Sequence, residues 1–367
     1  MRFEKVTTFD DFIRLKADWN SLVKSTDIDH AFMRHEWFES WIKNLMTNGK
    51  LAIHTGWDNK KLVAVAPLQI TRQVRKKIPL KILSFLRSSV TSRSNFIIDR
   101  SIDPAPFFDS VFLSRGWKVA ELKALESGVS ATANLIKYLK QNKRFVIEQG
   151  LQSPYEIIET DWETYLKKRS EGFRKSFRNS LNRLNSAKSF EIIRIQDHET
   201  FAKYIDTIVD ISARSWKREG GTDLQSMPEM ASFFKDFCRL TSENSFFLSN
   251  ILILESKPIA FDFYLKFKNR LVALRWDYDQ SFNYYMPGVV LHNNIIKTTL
   301  DSGQSLEIDY SGMATEHKRH LTDKTRQHID ITVESPGFLG GLIISLKKKS
   351  MRSENITDIV DGKPGCD

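Results

Sequence analysis

Cysteine is nearly missing from this chain. Of 367 residues only Cys238 and Cys366 carry a thiol, far apart in sequence, which excludes a disulfide framework or a cysteine-built metal site and suits a reducing cytosol. No stretch approaches the roughly 18 apolar residues that a membrane span needs. The start, MRFEKVTTFDDF, lacks the apolar core of a signal peptide, so the expected location is the cytoplasm. Three catalytic fingerprints are also missing: the Gly-x-Ser-x-Gly elbow, the Walker phosphate loop and the dinucleotide-binding glycine pattern. His317 and His320 in EHKRH imitate a metal pair. Their spacing differs from the zinc-protease pattern and no third ligand stands with them, so no metal is expected.

What is present is an ordinary soluble composition with charge in unusual places. Apolar residues make up 41% and charged residues 27%, the values of a globular protein. The length favours two domains over one. Net charge is +10, yet residues 71–87 (TRQVRKKIPLKILSFLR) hold six Lys or Arg and no acid, and residues 167–188 (KKRSEGFRKSFRNSLNRLNSAK) hold eight against the single Glu171. These two segments exceed the whole net charge, so the rest of the chain is slightly acidic. Charge gathered this way points to an anionic partner: a phosphorylated cofactor, a nucleic acid or an acidic lipid surface. The plainer reading is a pair of solvated basic faces.

Taken in order, residues 7–24 predict a helix capped by Thr8 or Asp10, with Phe12, Leu15, Trp19, Leu22 and Val23 inward. Residues 30–45 (HAFMRHEWFESWIKNL) predict a second amphipathic helix. A hairpin turning at Asp58-Asn59, strands at 94–100 and 117–125, a helix over 131–143 and a strand over 144–158 with an exit turn at Ser153-Pro154 complete the first half. The second half repeats this order. Asp197–Trp216 resembles TTFDDFIRLKADWNSL, and NILILESKPIAFDFYLKF resembles LAIHTGWDNKKLVAVAPLQI, which favours duplication. Two α/β units are therefore expected, residues 1–155 and 156–335, followed by a tail over 336–367. Within the tail a short apolar run precedes Lys347, Lys348 and Lys349. It reads as a last packed segment, with peripheral contact to an anionic membrane as the other reading, and the polar end is expected to be disordered. Near the join, residues 162–184 predict one helix with Phe173, Phe177, Leu181 and Leu184 on its apolar face and Arg174, Lys175, Arg178 and Arg183 beside them.

The most informative stretch is Leu271–Leu321. It reads as a strand (LVALRWDYD), a turn (SFNYYMPG), a helix (VVLHNNIIKTTL) and a second strand (SLEIDYSG) leading into MATEHKRHL. Pro287-Gly288 stands just before the helix, where free backbone N–H groups point outward and make an anion cradle. Its natural guest is the phosphate of a large acyl donor; an ordinary βαβ crossover is the alternative.

The ordered blocks HAFMRHEWFESW, GFRKSFRNSLNRL, SWKREGG, KPIAFDFY, WDYDQSFNYYMPGVVLHNNII and IDYSGMATEHKRHL together resemble the Fem-type and cellulose-biosynthesis-type branch of the GNAT acyltransferase superfamily. The resemblance covers residues 5–330 and is more specific after Gly172. It implies an α/β fold of two tandem GNAT-like domains, each a mixed β-sheet flanked by helices, the first of them degenerate. It also implies an N-acyltransferase that moves an acetyl, acyl or aminoacyl group to an amine of a polysaccharide or cell-envelope precursor. The donor would be an acyl-CoA, acetyl-CoA first, or an aminoacyl-tRNA, with nucleic acid a partner only in the second case.

Carried over by position, Pro287 and Gly288 at the helix start, with Val289, would meet the donor phosphates; Arg174 and Arg178 of the basic helix are read as helpers from their charge. Lys318 would steady charge at the reacting carbonyl, and Asp309 would act as base or orient Lys318. Trp276, Asp277 and Tyr278 would line the acyl or acceptor pocket, and Trp216 and Arg218 would belong to a mobile cover before Gly220-Gly221. One departure leaves the donor open: of the usual Arg/Gln-x-x-Gly-x-Gly/Ala loop, NYYMPG retains only Gly288. The rival expectation is a non-catalytic protein whose basic helices hold RNA or an acidic glycan.

Overall fold

The computed structural model describes residues 1–75, 77–142, 145–241, 246–301 and 306–335; the apolar run and tail beyond lie outside the described residues. The first half comprises β1 (Arg2–Val6), α1 (Phe9–Arg14), α2 (Lys16–Ser25), α3 (His35–Asn44), β2 (Lys50–Leu51), β3 (Ile53–Asp58), β4 (Lys61–Ala66), β5 (Leu68–Arg75), β6 (Ile78–Phe85), β7 (Ile97–Ile98), α4 (Ala105–Phe112), β8 (Val119–Glu126), α5 (Ser130–Asn142) and β9 (Phe145–Ile158). The second comprises α6 (Trp162–Lys168), α7 (Glu171–Asn185), β10 (Phe190–Ile195), α8 (His198–Ala213), α9 (Pro228–Leu240), β11 (Phe247–Leu254), β12 (Lys257–Phe267), β13 (Arg270–Tyr278), α10 (Pro287–Leu300), β14 (Leu306–Asp309), α11 (Glu316–Arg319) and β15 (Thr325–Glu334).

Both halves follow one plan. In each, a leading strand pairs antiparallel with the first strand of a hairpin: β1 with β3 of β3–β4, and β10 with β11 of β11–β12. Each half then makes a parallel pair joined across a helix, β6 with β8 across α4 and β13 with β14 across α10. The basic segment 71–87 is mostly the β5–β6 hairpin. Among the described residues no helix is long and apolar enough to cross a membrane.

The last strands are exchanged between the halves. β9 pairs with β14 through Tyr155–Ile158, while β15, the final described strand, inserts between β9 and β8. An eleven-stranded sheet results, in the order β10-β11-β12-β13-β14-β9-β15-β8-β6-β5-β2, beside a four-stranded sheet β1-β3-β4-β7. This exchange corrects the exit turn expected at Ser153-Pro154: β9 runs straight through. Proline removes only a donor. The Pro154 carbonyl still accepts from the Tyr310 N–H (2.9 Å), and Tyr155 donates to the Lys324 carbonyl (3.1 Å).

Three predicted helices are also broken, the first of them, over 7–24, at Leu15 between α1 and α2. The span 162–184 divides after Arg169, where the Ser170 hydroxyl accepts from the Phe173 N–H (3.2 Å) and starts α7 afresh. The span 30–45 begins as a 3-10 turn at Ala31–Met33, and extended Arg34 separates it from α3.

Helix packing and charge pairing both cross between the halves. Trp37 of α3 meets Phe233 and Phe237 of α9 edge-on, with ring centroids 4.8 and 5.5 Å apart. At the exchanged strands Asp309 is fully buried between Arg93 and Arg326. Arg326 also holds Glu126 (2.7 Å) and Glu307 (2.8 Å), and Arg270 joins Glu307 to Asp29. Asp29, His30 and Glu126 lie close enough to share a metal ion. Arg93, Arg270 and Arg326 crowd the same place and, with burial, hold His30 well below its usual pKa, so the electrostatics there disfavour a cation.

Candidate active site

β13 and β14 are bonded only from Arg270 to Val272 against Glu307 to Asp309. Beyond that point the strands part, and the chemistry-bearing side chains gather around the gap. Strand alternation sends them to two faces. Asp262, Tyr264, Trp276 and Tyr278 face α10 and, with Gly288, Leu291 and His292, line a cavity of about 20 Å³. That is room for one water, so an acyl group entering here must displace the Trp276 indole. Asp277 lies on the opposite face, toward α8.

The face toward α8 carries an ion-pair cluster. Asp277 is buried and accepts from Ser212 Oγ (2.6 Å), Arg275 Nε (2.7 Å) and Lys217 Nζ. Lys217 also donates to the Trp276 carbonyl (3.0 Å), and burial pulls its pKa down. Arg275 continues to the Ser212 hydroxyl (2.9 Å) and the Thr222 carbonyl (2.7 Å). Trp216, in the 3-10 turn after α8, is 59% exposed. Arg218 is tied to Asp223, Gln225 and Ser226 beside Gly221, whose φ of +62° suits a residue without a side chain.

Lys318 stands on the short α11, beyond the end of β14. Its amine donates to the Ser311 carbonyl at 2.5 Å and lies 3.6 Å from where a Cβ on Gly312 would be. Gly312 has φ +56°, so a side chain there would be strained. Burial, then the charge of Lys217, lowers the Lys318 pKa to about 8. Asp309 does not meet this amine directly. It accepts from the Ser311 N–H (2.7 Å) and so fixes the turn whose carbonyl holds Lys318.

The opening of α10 offers less than a full cradle. Pro287 has no N–H, and Val289 donates its own to the Met286 carbonyl (3.0 Å), which leaves Gly288 as the amide best placed for a ligand. The space beside it is open, since a Cβ there would meet nothing within 4 Å. Met286 supplies the bend in the left-handed region at φ 51°. Helix α7 leans on this corner: Ser176 Oγ lies 3.6 Å from Met286 Sδ, and Arg183 donates to the Tyr284 carbonyl (2.6 Å). Arg174 is turned away, capping α6 through the Lys167 and Arg169 carbonyls. Arg178 is exposed.

Residues 171–319, from the first residue of α7 to the last of α11, match the family model of an acetyltransferase (GNAT) domain. These residues form a GNAT-type acetyltransferase domain. No curated protein matches it by sequence. Among solved structures it is similar to the crystal structure of FemX, at 12% identity and a TM-score of 0.61, covering 94% of this chain and 99% of that one. It is similar to a protein of unknown function from Bacteroides thetaiotaomicron, at 13% identity and 0.52, covering 91% and 99%. A third is L-PGS from Bacillus licheniformis, at 9% and 0.51, covering 93% and 96%. Identities this low speak for the fold alone and leave the substrate open.

In this GNAT frame, motif matching missed several site residues. Asp262 is fully buried and bonded to the Asn250 N–H (2.7 Å) and side chain (2.9 Å), and burial pushes its carboxyl up to about 8. A lone acid inside the apolar run KPIAFDFY was the signal for it. Lys217, Ser212 and Arg275 had no comparable sign, because nothing in their spacing shows that α8 and β13 meet. The same is true of Glu156, His292 and Tyr310.

Proposed function

We propose that this chain is an N-acyltransferase that moves an acetyl, acyl or aminoacyl group from an acyl-CoA or related carrier to an amine of a polysaccharide or cell-envelope precursor. The observation that carries the reading is the half-buried Lys318 amine at the gap between β13 and β14, on the same unit as the open Gly288 corner. The donor enters along α10, its phosphate against the Gly288 amide and its acyl group in place of the Trp276 indole. The amine acceptor enters from the side of Trp216 and Lys217. Lys318 stabilises the tetrahedral oxyanion as a cation, and Asp309 orients it through Ser311; with two arginines on its carboxylate, Asp309 is a poor base. Residues 156–335 form the transferase domain and 1–155 its degenerate partner.

A positively charged Lys318 sets a pH limit. Its folded pKa of about 8 means the cation, and with it kcat, is lost as pH rises through that value. The residual activity of Lys318→Arg should lack this alkaline limb. A limb unchanged in the arginine variant removes Lys318 as its source.

An aminoacyl-tRNA donor has specific support: the single well-placed amide at α10 gives little to a CoA pyrophosphate, and α7 turns exposed Lys175 and Arg178 to solvent beside that corner. Thermal shifts separate the two. A donor at 100 times its Kd stabilises by about 2.7 kcal/mol. Acetyl-CoA should give that shift if it is the donor; salt-sensitive stabilisation by aminoacyl-tRNA alone assigns the other. No shift with either contradicts the proposed function.

A further inference from the structure

Behind the gap lies a chain of polar groups that substrate binding does not use. His292 of α10 touches the small cavity and packs on Trp276, ring centroids 5.4 Å apart. Its Nε2 is 3.5 Å from the Tyr310 hydroxyl, which donates to Glu156 Oε2 at 3.1 Å. Tyr310 is fully buried and Glu156 partly so. Glu156, on β9, lines a second cavity of about 260 Å³ with Tyr165, Lys168 and Arg169. The small cavity, touched by His292, and the second, touched by Glu156, are thus joined through imidazole, phenol and carboxylate.

We propose that His292, Tyr310 and Glu156 form the path by which the proton released in acyl transfer leaves the site. This rests on the acyltransferase reading above. An alkylammonium sheds two protons on becoming an amide. The N–C bond forms, the bond from the acyl carbon to the leaving sulfur or oxygen breaks, and that leaving atom keeps one proton. The other must reach water. With the donor occupying the mouth of the gap, the second cavity is a separate route to solvent. The proton passes to His292, hops across the Tyr310 hydroxyl as that group donates onward, and arrives on Glu156.

The groups around Glu156 suit a transient carrier. Arg169 donates to it, to the Tyr165 hydroxyl (2.7 Å) and to the Leu321 carbonyl (2.6 Å). Lys324 adds positive charge from the loop before β15, and Glu159 and Lys168 stand at the cavity wall. Burial nevertheless raises the Glu156 pKa above the ordinary carboxylate value, so it accepts a proton more readily than a surface acid.

The test measures transfer to ethylamine from acetyl-CoA and from aminoacyl-tRNA. Glu156→Ala and Tyr310→Phe should each lower kcat by roughly 100-fold. Added formate, small enough for the second cavity, should restore Glu156→Ala several-fold and leave wild type and Tyr310→Phe unchanged. Losses without formate rescue, or wild-type rates in either variant, overturn the path. If wild type turns over neither donor, the acyltransferase reading fails, and the path is judged by imidazole NMR of the free protein. Glu156→Gln must then shift the titration of His292, and the shift must shrink in a Tyr310→Phe background. An unmoved His292, or an undiminished shift, overturns the path there as well.

Discussion

Replacing Lys318 by alanine is expected to lower kcat by roughly 100- to 1,000-fold, the loss found when one oxyanion-stabilising group is removed. The fold should remain intact, because the side chain is only half-buried and its amine bonds to the Ser311 carbonyl. Removing a half-buried cation whose pKa burial lowers also removes a desolvation cost, so the variant should melt no lower than wild type. Circular dichroism melts and single-turnover transfer measured together check both halves of this expectation. Near-wild-type turnover, or loss of activity together with the fold, contradicts it.

Arg93→Ala is expected to be the most damaging single change to stability. The Arg93 side chain is fully buried against Asp309, with Glu126 at 3.4 Å and Asp29 at 3.9 Å. Losing one partner of a buried ion pair leaves uncompensated charge and costs about 3–5 kcal/mol. Asp309→Asn in the same chain should recover part of that loss, because the stranded charge is gone. Urea unfolding of the two single variants and the double variant measures the coupling. A loss below about 1 kcal/mol, the range of exposed pairs, would show that the network does not hold the exchanged strands together. Because β9 and β15 cross between the halves, one cooperative transition is expected in place of two.

The elements with strong local signals are legible in the sequence. The helix beginning after Thr8, the hairpin near Asn59 and the strand–helix–strand unit around Gly288 each carry a cap, turn or period that needs no distant partner. Breaks set by single residues were harder to read. Ser170 restarts a helix inside a continuous amphipathic pattern, and Pro154 is tolerated in β9 because neighbours supply the donors. The strand exchange had no local mark, since pairing of β15 with β8 depends on contacts about two hundred residues apart.

The site divided the same way. Gly288, Trp276, Asp277 and Lys318 stand on the unit that carried the motif signal, and the structure gathers them about one gap. Arg174 looked like an anion ligand because helical spacing set it beside the apolar stripe. It instead caps the carboxyl end of α6, a use created by the break at Ser170. Trp216, expected in a cover before Gly220-Gly221, stands exposed beside Lys217. Lys217 itself became visible only when α8 was seen against β13.

Competitive labelling of Lys318 with an amine-acylating reagent, followed by peptide mass spectrometry, most directly tests whether a donor carbonyl is delivered to this amine. With its pKa near 8, Lys318 should be labelled faster than exposed lysines at neutral pH. Saturating acetyl-CoA or aminoacyl-tRNA, whichever is the donor, should protect it at least tenfold while leaving Lys175 unprotected or protected far less. Labelling of Lys318 at the rate of exposed lysines, unaffected by any donor, would contradict the account.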